Sequence, residues 1–157
     1  MKVAVIGCTH AGTAAILNLK RIYPDSDVTV FERNDNISFL SCGIALYVGG
    51  VVKDAQGLFY CSPDKLKELN VDTKMRHNVE SVDIKGKKIV AKNLETGVEV
   101  EHTFDKLIIT SGSWPIIPRN EGIDSNNILL SKNFEHSNEI IDAAKDAKKV
   151  VVVGAGY

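Results

Sequence analysis

No hydrophobic run in this chain approaches the roughly 20 residues that a membrane-spanning helix needs. The apolar stretches VAVIG near Met1 and VVVV before Gly154 stop at strand length, so neither a membrane span nor a signal peptide is expected. An excess of charge of one sign is also missing. Lysine and arginine number 19 against 20 acids, and the two signs are interleaved, which argues against a nucleic-acid partner. Cysteine is scarce and odd in number. Cys8, Cys42 and Cys61 cannot close a disulfide framework, and Cys8-x-His10 is not a usual chelating spacing, so no metal is expected. Nor is there a signature of disorder, since 157 residues with 44% hydrophobic and 25% charged side chains suffice for a globular core. A cytoplasmic chain follows as the expectation, one in which any special cysteine is present for its reactivity.

The first 33 residues carry the clearest pattern. In KVAVIGCTHAGTAAILNLKRIYPDSDVTVFER an apolar strand ends at Gly7, a turn reaches Gly12, and Ala14, Ala15, Leu17, Leu19 and Ile22 fit a helix closed by Pro24. A second strand, Val28 to Phe31, ends at Glu32. Strand, glycine turn, helix and strand make a βαβ unit of mononucleotide-binding length. Gly7-x-Thr9-x-x-Gly12 nearly matches the dinucleotide fingerprint, with Thr9 where glycine is usual. Glu32, twenty residues after Gly12, is placed to accept hydrogen bonds from a ribose and to repel a 2′-phosphate.

Further along, Ser62 to Leu69 reads as a short helix with Ser62 as N-cap and Pro63 at its first position. Short β runs between residues 71 and 105 (VDTKM, VESVDI, KKIVAKN, EVEHTF), with turns at Lys85-Gly86 and Thr96-Gly97, predict an inserted antiparallel meander. KLIIT then resumes the sheet as a buried strand and runs into Ser111-Gly112-Ser113, whose backbone N–H groups lie at a strand's carboxyl end. A helix over NEIIDAAKDAKK and a strand ending in Gly154-Ala155-Gly156 open a second glycine fingerprint. The expected fold is a doubly wound α/β domain with a mostly parallel, Rossmann-like sheet. It occupies residues 1–148, with the meander at about 71–105, and residues 149–157 supply the first strand of another domain.

The segment NISFLSCGIALYVGG sets Cys42 between Ser41 and Gly43 with apolar residues on both sides. A half-buried thiol can be no more than a small hydrophobe. A reactive one needs its pKa lowered by a helix start, a donor or a cation, and Ile44 to Val48 is predicted to begin such a helix. No second cysteine follows; Tyr47 and its neighbours are not cysteine, so an oxidised Cys42 would be a sulfenic acid or a mixed disulfide.

In VIGCTHAGT, Glu32, NISFLSCG, DKLIITSGSWP and VVVVGAGY, taken in this order, the chain resembles the N-terminal FAD-binding part of the NADH oxidase and NADH peroxidase group. That group is the single-cysteine branch of the pyridine nucleotide–disulfide oxidoreductases. The resemblance implies FAD held by Gly7, Cys8, Thr9, His10, Ala11 and Gly12, by Glu32 and Arg33, near Val79, and at Thr110, Ser111, Gly112 and Ser113. It implies that Cys42 and Lys132 lie near the flavin, and that NADH approaches where Gly154, Gly156 and Tyr157 stand. His10 is implied to lie near Cys42 as an acid/base or electrostatic partner, whereas Cys8 and Cys61 have no comparable context. The activity implied is NADH oxidation through FAD and Cys42 with oxygen reduced to water. NADH peroxidase, coenzyme A-disulfide reductase and a non-catalytic flavin module are the alternatives. A homodimer is implied for a full-length protein, and residues 1–157 alone are expected to be inactive.

Overall fold

Val3, Ala4 and Val5 are buried from both sides, so Lys2–Ile6 forms a central strand, β1, with no solvent face along its middle. The computed structural model describes residues 1–118, 121–123 and 127–154. Among them, two compact units are found: Met1–Leu40 with Ala55–Ser113, and Ser41–Asp54 with the residues from Trp114 onward.

In the first unit, helix α1 spans His10–Ile22 and strand β2 spans Asp27–Glu32. Helix α3 is Pro63–Glu68, since a five-residue α2, Ile44–Val48, belongs to the second unit. Strands β3, Val71–Met75, and β7, Lys106–Ile109, complete a parallel sheet in the order β3-β2-β1-β7. The period of two along a strand divides its side chains between two cores. Val3, Val5, Val28 and Val30 face one way and pack with Ile16 of α1, Leu66 of α3, Ile37 and Val71. Ala4 and Phe31 face the other way, against Ile89, Ala91 and Phe104. That second face is covered by an antiparallel meander of β4, His77–Asp83, β5, Lys88–Asn93, and β6, Glu99–Thr103. Each layer therefore buries the apolar face of the next. Ser62 caps α3 as expected, its Oγ accepting from the Lys65 N–H at 3.2 Å.

Three expectations require correction. VDTKM is not a meander strand. It is β3, paired in parallel with β2 from Val28↔Val71 to Glu32↔Met75, because Val71 belongs to the α1/α3 core and α3 delivers it to that edge. The meander begins only at His77, after Arg76 takes a left-handed φ of 56°. Strand β7, expected to be buried, leaves Ile109 61% exposed, since among the described residues it pairs only with β1. The helix predicted over residues 138–149 starts a turn earlier and ends sooner.

In the second unit that helix, α4, spans Phe134–Ala144 and begins at Asn133, whose Oδ1 accepts from the His136 N–H at 2.9 Å. It packs against α2 through Tyr47, whose ring lies 5.9 Å from that of Phe134 and whose hydroxyl lies 3.1 Å from Asn138 Oδ1. A fourth expectation requires correction: Val150 to Val153, read as a strand, form none and are 73%, 87%, 79% and 89% exposed. An extended run needs a neighbour to satisfy its N–H and C=O groups. Among the described residues no helix is long and apolar enough to cross a membrane.

Candidate functional site

The turn after β1 is fixed by close approach. Gly7 has φ +89°, donates to the Phe31 carbonyl at 2.9 Å, and lies against the Thr110 carbonyl, which a side chain at position 7 would overlap. A methyl group at Gly12 would overlap the Gly7 carbonyl. Thr110, at the end of β7, closes the turn from the other side. Its N–H donates to the Ile6 carbonyl at 2.8 Å, and its hydroxyl lies 2.9 Å from Ile6 O and 2.8 Å from Gly7 O. The two glycine positions and Thr110 are thus one structural feature, although they are about a hundred residues apart in sequence.

The turn delivers the start of α1 with its N–H groups unspent. Thr9 is the N-cap, but its side chain makes no capping hydrogen bond, and no acidic residue stands in the first turn. A helix start of this kind favours an anion through its free donors and its dipole. Ser111, Gly112 and Ser113 are exposed beyond Thr110.

Glu32 ends β2 and is 2% exposed. Its Oε2 accepts from the Cys8 N–H at 2.7 Å, and its Oε1 accepts from the Asn34 N–H at 2.8 Å and Asn34 Nδ2 at 2.7 Å. These donors are what allow a carboxylate to be buried there. Carboxylate oxygens offer about four acceptor positions, so capacity remains for a ribose hydroxyl. Glu32 therefore holds the turn through the Cys8 N–H, a duty that the fingerprint spacing does not reveal. Arg33 is exposed beside it. Val79 lies in β4 where the register slips between Val79 and Ser81, a bulge that frees backbone from the ladder.

The three thiols differ. Cys8 is wholly buried, and burial pushes its pKa up to about 11 despite the Thr13 hydroxyl at 3.6 Å. Burial also raises Cys61, against a smaller lowering by nearby Lys65. Cys42 is exposed rather than half-buried, in a 3-10 turn over Ser41–Gly43 that leads directly into α2. His10, the first residue of α1, is exposed, and its ring stacks on Tyr60 with centroids 5.7 Å apart and planes 18° from parallel. The Tyr60 hydroxyl also donates to the His10 carbonyl at 3.3 Å. Nothing in the sequence singled out Tyr60 or Asn34, because neither belongs to a spacing motif.

The first unit thus contains Gly7 to Gly12, Glu32, Arg33, Val79 and Thr110 to Ser113, and among these the glycine turn, Glu32 and Thr110 are joined directly. Cys42, Lys132, which is half-buried before α4, and Gly154, with φ +96°, belong to the second unit. Gly156 and Tyr157 lie outside the described residues. An open hollow of about 580 Å³ lined by Met1, Ile22, Tyr23 and Pro24 sits at the opposite end of β1 from the glycine turn and has no part in it.

The pyridine nucleotide-disulphide oxidoreductase family model matches residues 1–157. An NADH oxidase of Enterococcus faecalis is 59% identical over 157 residues, covering all of this chain and 35% of that protein. The solved structure of a water-forming NADH oxidase from Lactobacillus brevis, bound to NADH, superposes with a TM-score of 0.97 at 52% identity, over all of this chain and 35% of that one. A coenzyme A disulfide reductase of Staphylococcus haemolyticus is 31% identical over 160 residues, covering 99% of this chain and 36% of that protein. The chain thus spans about a third of the length of these relatives.

Proposed function

The chain belongs to the pyridine nucleotide-disulphide oxidoreductase family, and from that membership we propose that it is the FAD-binding part of an NADH oxidase that reduces oxygen to water. The observation that carries this reading is the uncapped start of α1, held beside a buried, pre-oriented Glu32 by the Gly7–Thr110 closure. The residues fit a dinucleotide: free helix N–H groups for a pyrophosphate, a carboxylate with spare acceptor capacity for a ribose, and two glycines where a Cβ would close the turn. Gly7 to Gly12, Glu32, Arg33, the bulge at Val79 and the Thr110 to Ser113 turn would hold FAD, with Cys42 and Lys132 serving its flavin end. FAD, when bound, would supply two-electron chemistry between NADH and oxygen or an oxidised cysteine. Residues 149–157 would open the NADH-binding domain, with Gly154, Gly156 and Tyr157 on the nicotinamide side.

The chain's own chemistry centres on Cys42. Oxygen that takes up the two electrons of a first NADH and two protons becomes hydrogen peroxide, and the Cys42 thiolate would attack one of its oxygens through Sγ; the O–O bond breaks, the sulfur is oxidised to sulfenic acid, and hydroxide leaves. This hydroxide takes up a proton to become water, a donor role that the family resemblance assigns to His10. Two electrons from NADH then return the sulfenic acid to the thiolate and release a second water. An exposed Cys42 with no cysteine nearby in sequence suits this cycle. It also suits a mixed disulfide with a small thiol, the chemistry a coenzyme A-disulfide reductase would use. The scarcity and odd number of cysteines support work in the cytoplasm, and the family resemblance supports a homodimer.

The test is the protein as its gene encodes it. It should carry a flavin spectrum and consume oxygen with NADH while releasing little peroxide. Turnover with coenzyme A disulfide but not oxygen would replace the oxidase reading with the reductase one.

A further inference from the structure

Asn34 is held on three sides. Its N–H and its Nδ2 both donate to Glu32 Oε1, at 2.8 and 2.7 Å, and its carbonyl accepts from the Arg76 N–H at 3.2 Å. Arg76 is itself fixed at the β3–β4 junction. Its φ is 56°, its guanidinium pairs with Asp35 at 2.9 Å, and its carbonyl accepts from the Leu94 N–H at 2.7 Å. A continuous set of hydrogen bonds therefore runs from the meander through Arg76, Asn34 and Glu32 to the Cys8 N–H in the glycine turn. A glutamate has three side-chain torsions whose ordering costs free energy at the moment of binding unless the protein has ordered them already. The two donors on Oε1 do this before any ligand arrives, and they leave part of the carboxylate unfilled.

We propose that Asn34 is a positioning residue for the adenosine ribose of the cofactor, its side-chain amide holding the buried Glu32 carboxylate in the orientation that accepts the ribose hydroxyls. This rests on the FAD reading given above. On this proposal Asn34 acts on the ligand only through Glu32, to whose Oε1 both its N–H and its Nδ2 donate. Its effect is transmitted through one oxygen, so it should depend on Glu32 and on the ribose hydroxyls.

The experiment uses the protein as encoded, stripped of flavin, with binding followed by flavin fluorescence for FAD and for its 2′,3′-dideoxyadenosine analogue. The parent should bind FAD at least tenfold more tightly than the analogue. Asn34→Ala should weaken FAD about tenfold and leave the analogue nearly unchanged, so the ratio between the two ligands collapses. Asn34→Asp should lose more, because it sets a second carboxylate against Glu32 Oε1. In a Glu32→Gln background the Asn34→Ala change should have little further effect on FAD, as expected for two residues acting as a unit. Melting of the flavin-free variants shows whether they are folded. Equal weakening of both ligands by Asn34→Ala, or additivity with Glu32→Gln, would assign Asn34 a structural role and overturn the proposal. A parent protein that binds no FAD overturns the FAD reading itself, and this inference with it. A parent that binds FAD and the analogue equally leaves the FAD reading standing and removes this inference alone.

Discussion

Cys8, Cys42 and Cys61 have the same side chain and different chemistry, and burial makes the difference. A thiol reacts as its thiolate, so a Cys8 pushed up to about 11 is inert at neutral pH, while Cys42 stands in solvent. A thiol reagent added to the folded protein near pH 7 should therefore label Cys42 alone, with Cys8 and Cys61 reacting only after denaturation; peptide mapping reads the result. Labelling of Cys8 at a comparable rate would contradict its burial. Cys42→Ser carries the functional test. Serine forms no sulfenic acid, so the variant should keep its flavin and still oxidise NADH, but release hydrogen peroxide with more oxygen consumed per NADH. Water formation at the parent's level would remove Cys42 from the peroxide step. The blandness of Cys8 and Cys61 was legible from their flanks and burial accounts for it, whereas the structure marks Cys42 only by its exposure. Its exposure was not legible, because the apolar residues around it suggest burial and only packing decides which of them turn inward.

Elements were legible where a local signal marks both ends and misread where a distant partner decides. Helix α1 begins at the glycine turn and ends before Pro24, and α3 begins at its Ser62-Pro63 cap, each as its own residues dictate. VDTKM has no such signal: nothing between Met75 and His77 is glycine or proline, yet Arg76 turns the chain with a positive φ. Five residues of β sequence pair in parallel or antiparallel according to what core receives Val71. The glycine turn was legible from spacing, whereas its closure by Thr110 was not, since a hundred residues separate the partners. Gly12→Ala should prevent the turn from closing and cost about 1–3 kcal/mol of stability by overpacking, with FAD retention lost as well; thermal melting and flavin absorbance check both. The meander adds a pH dependence. His102 on β6 meets the edge of Phe31 at 5.4 Å, and burial lowers its pKa from 6.5, an effect that Asp27 and Asp72 oppose in part. A depressed folded-state pKa contributes stability that is present above the unfolded value and lost as pH falls through the folded one. Melting temperature should therefore drop on acidification below about 6.5, and His102→Phe should flatten that slope.

Residues 1–157 bring together the parts of the proposed nucleotide site. Gly7 to Gly12, Glu32 and Thr110 are tied to one another by hydrogen bonds and close approaches, and every one of them lies within the first unit. The second glycine fingerprint stands differently: Gly154 follows four valines that are exposed and in no strand. NADH oxidation needs a nicotinamide site beside the flavin, and the relatives that share this sequence are about three times as long. A polypeptide limited to these residues should therefore be able to bind FAD weakly yet transfer no hydride from NADH. It should also associate, because Ile109, Ile116 and the valine run leave large apolar side chains in water. Flavin fluorescence quenching on titration, an NADH absorbance assay and light scattering on purified residues 1–157 test these three points. Quenching with no NADH consumption is the expected pattern. Steady NADH oxidation by a chain verified to end at Tyr157 would show that the nicotinamide site is already complete within it, and Gly154 would then have to be assigned to a formed site.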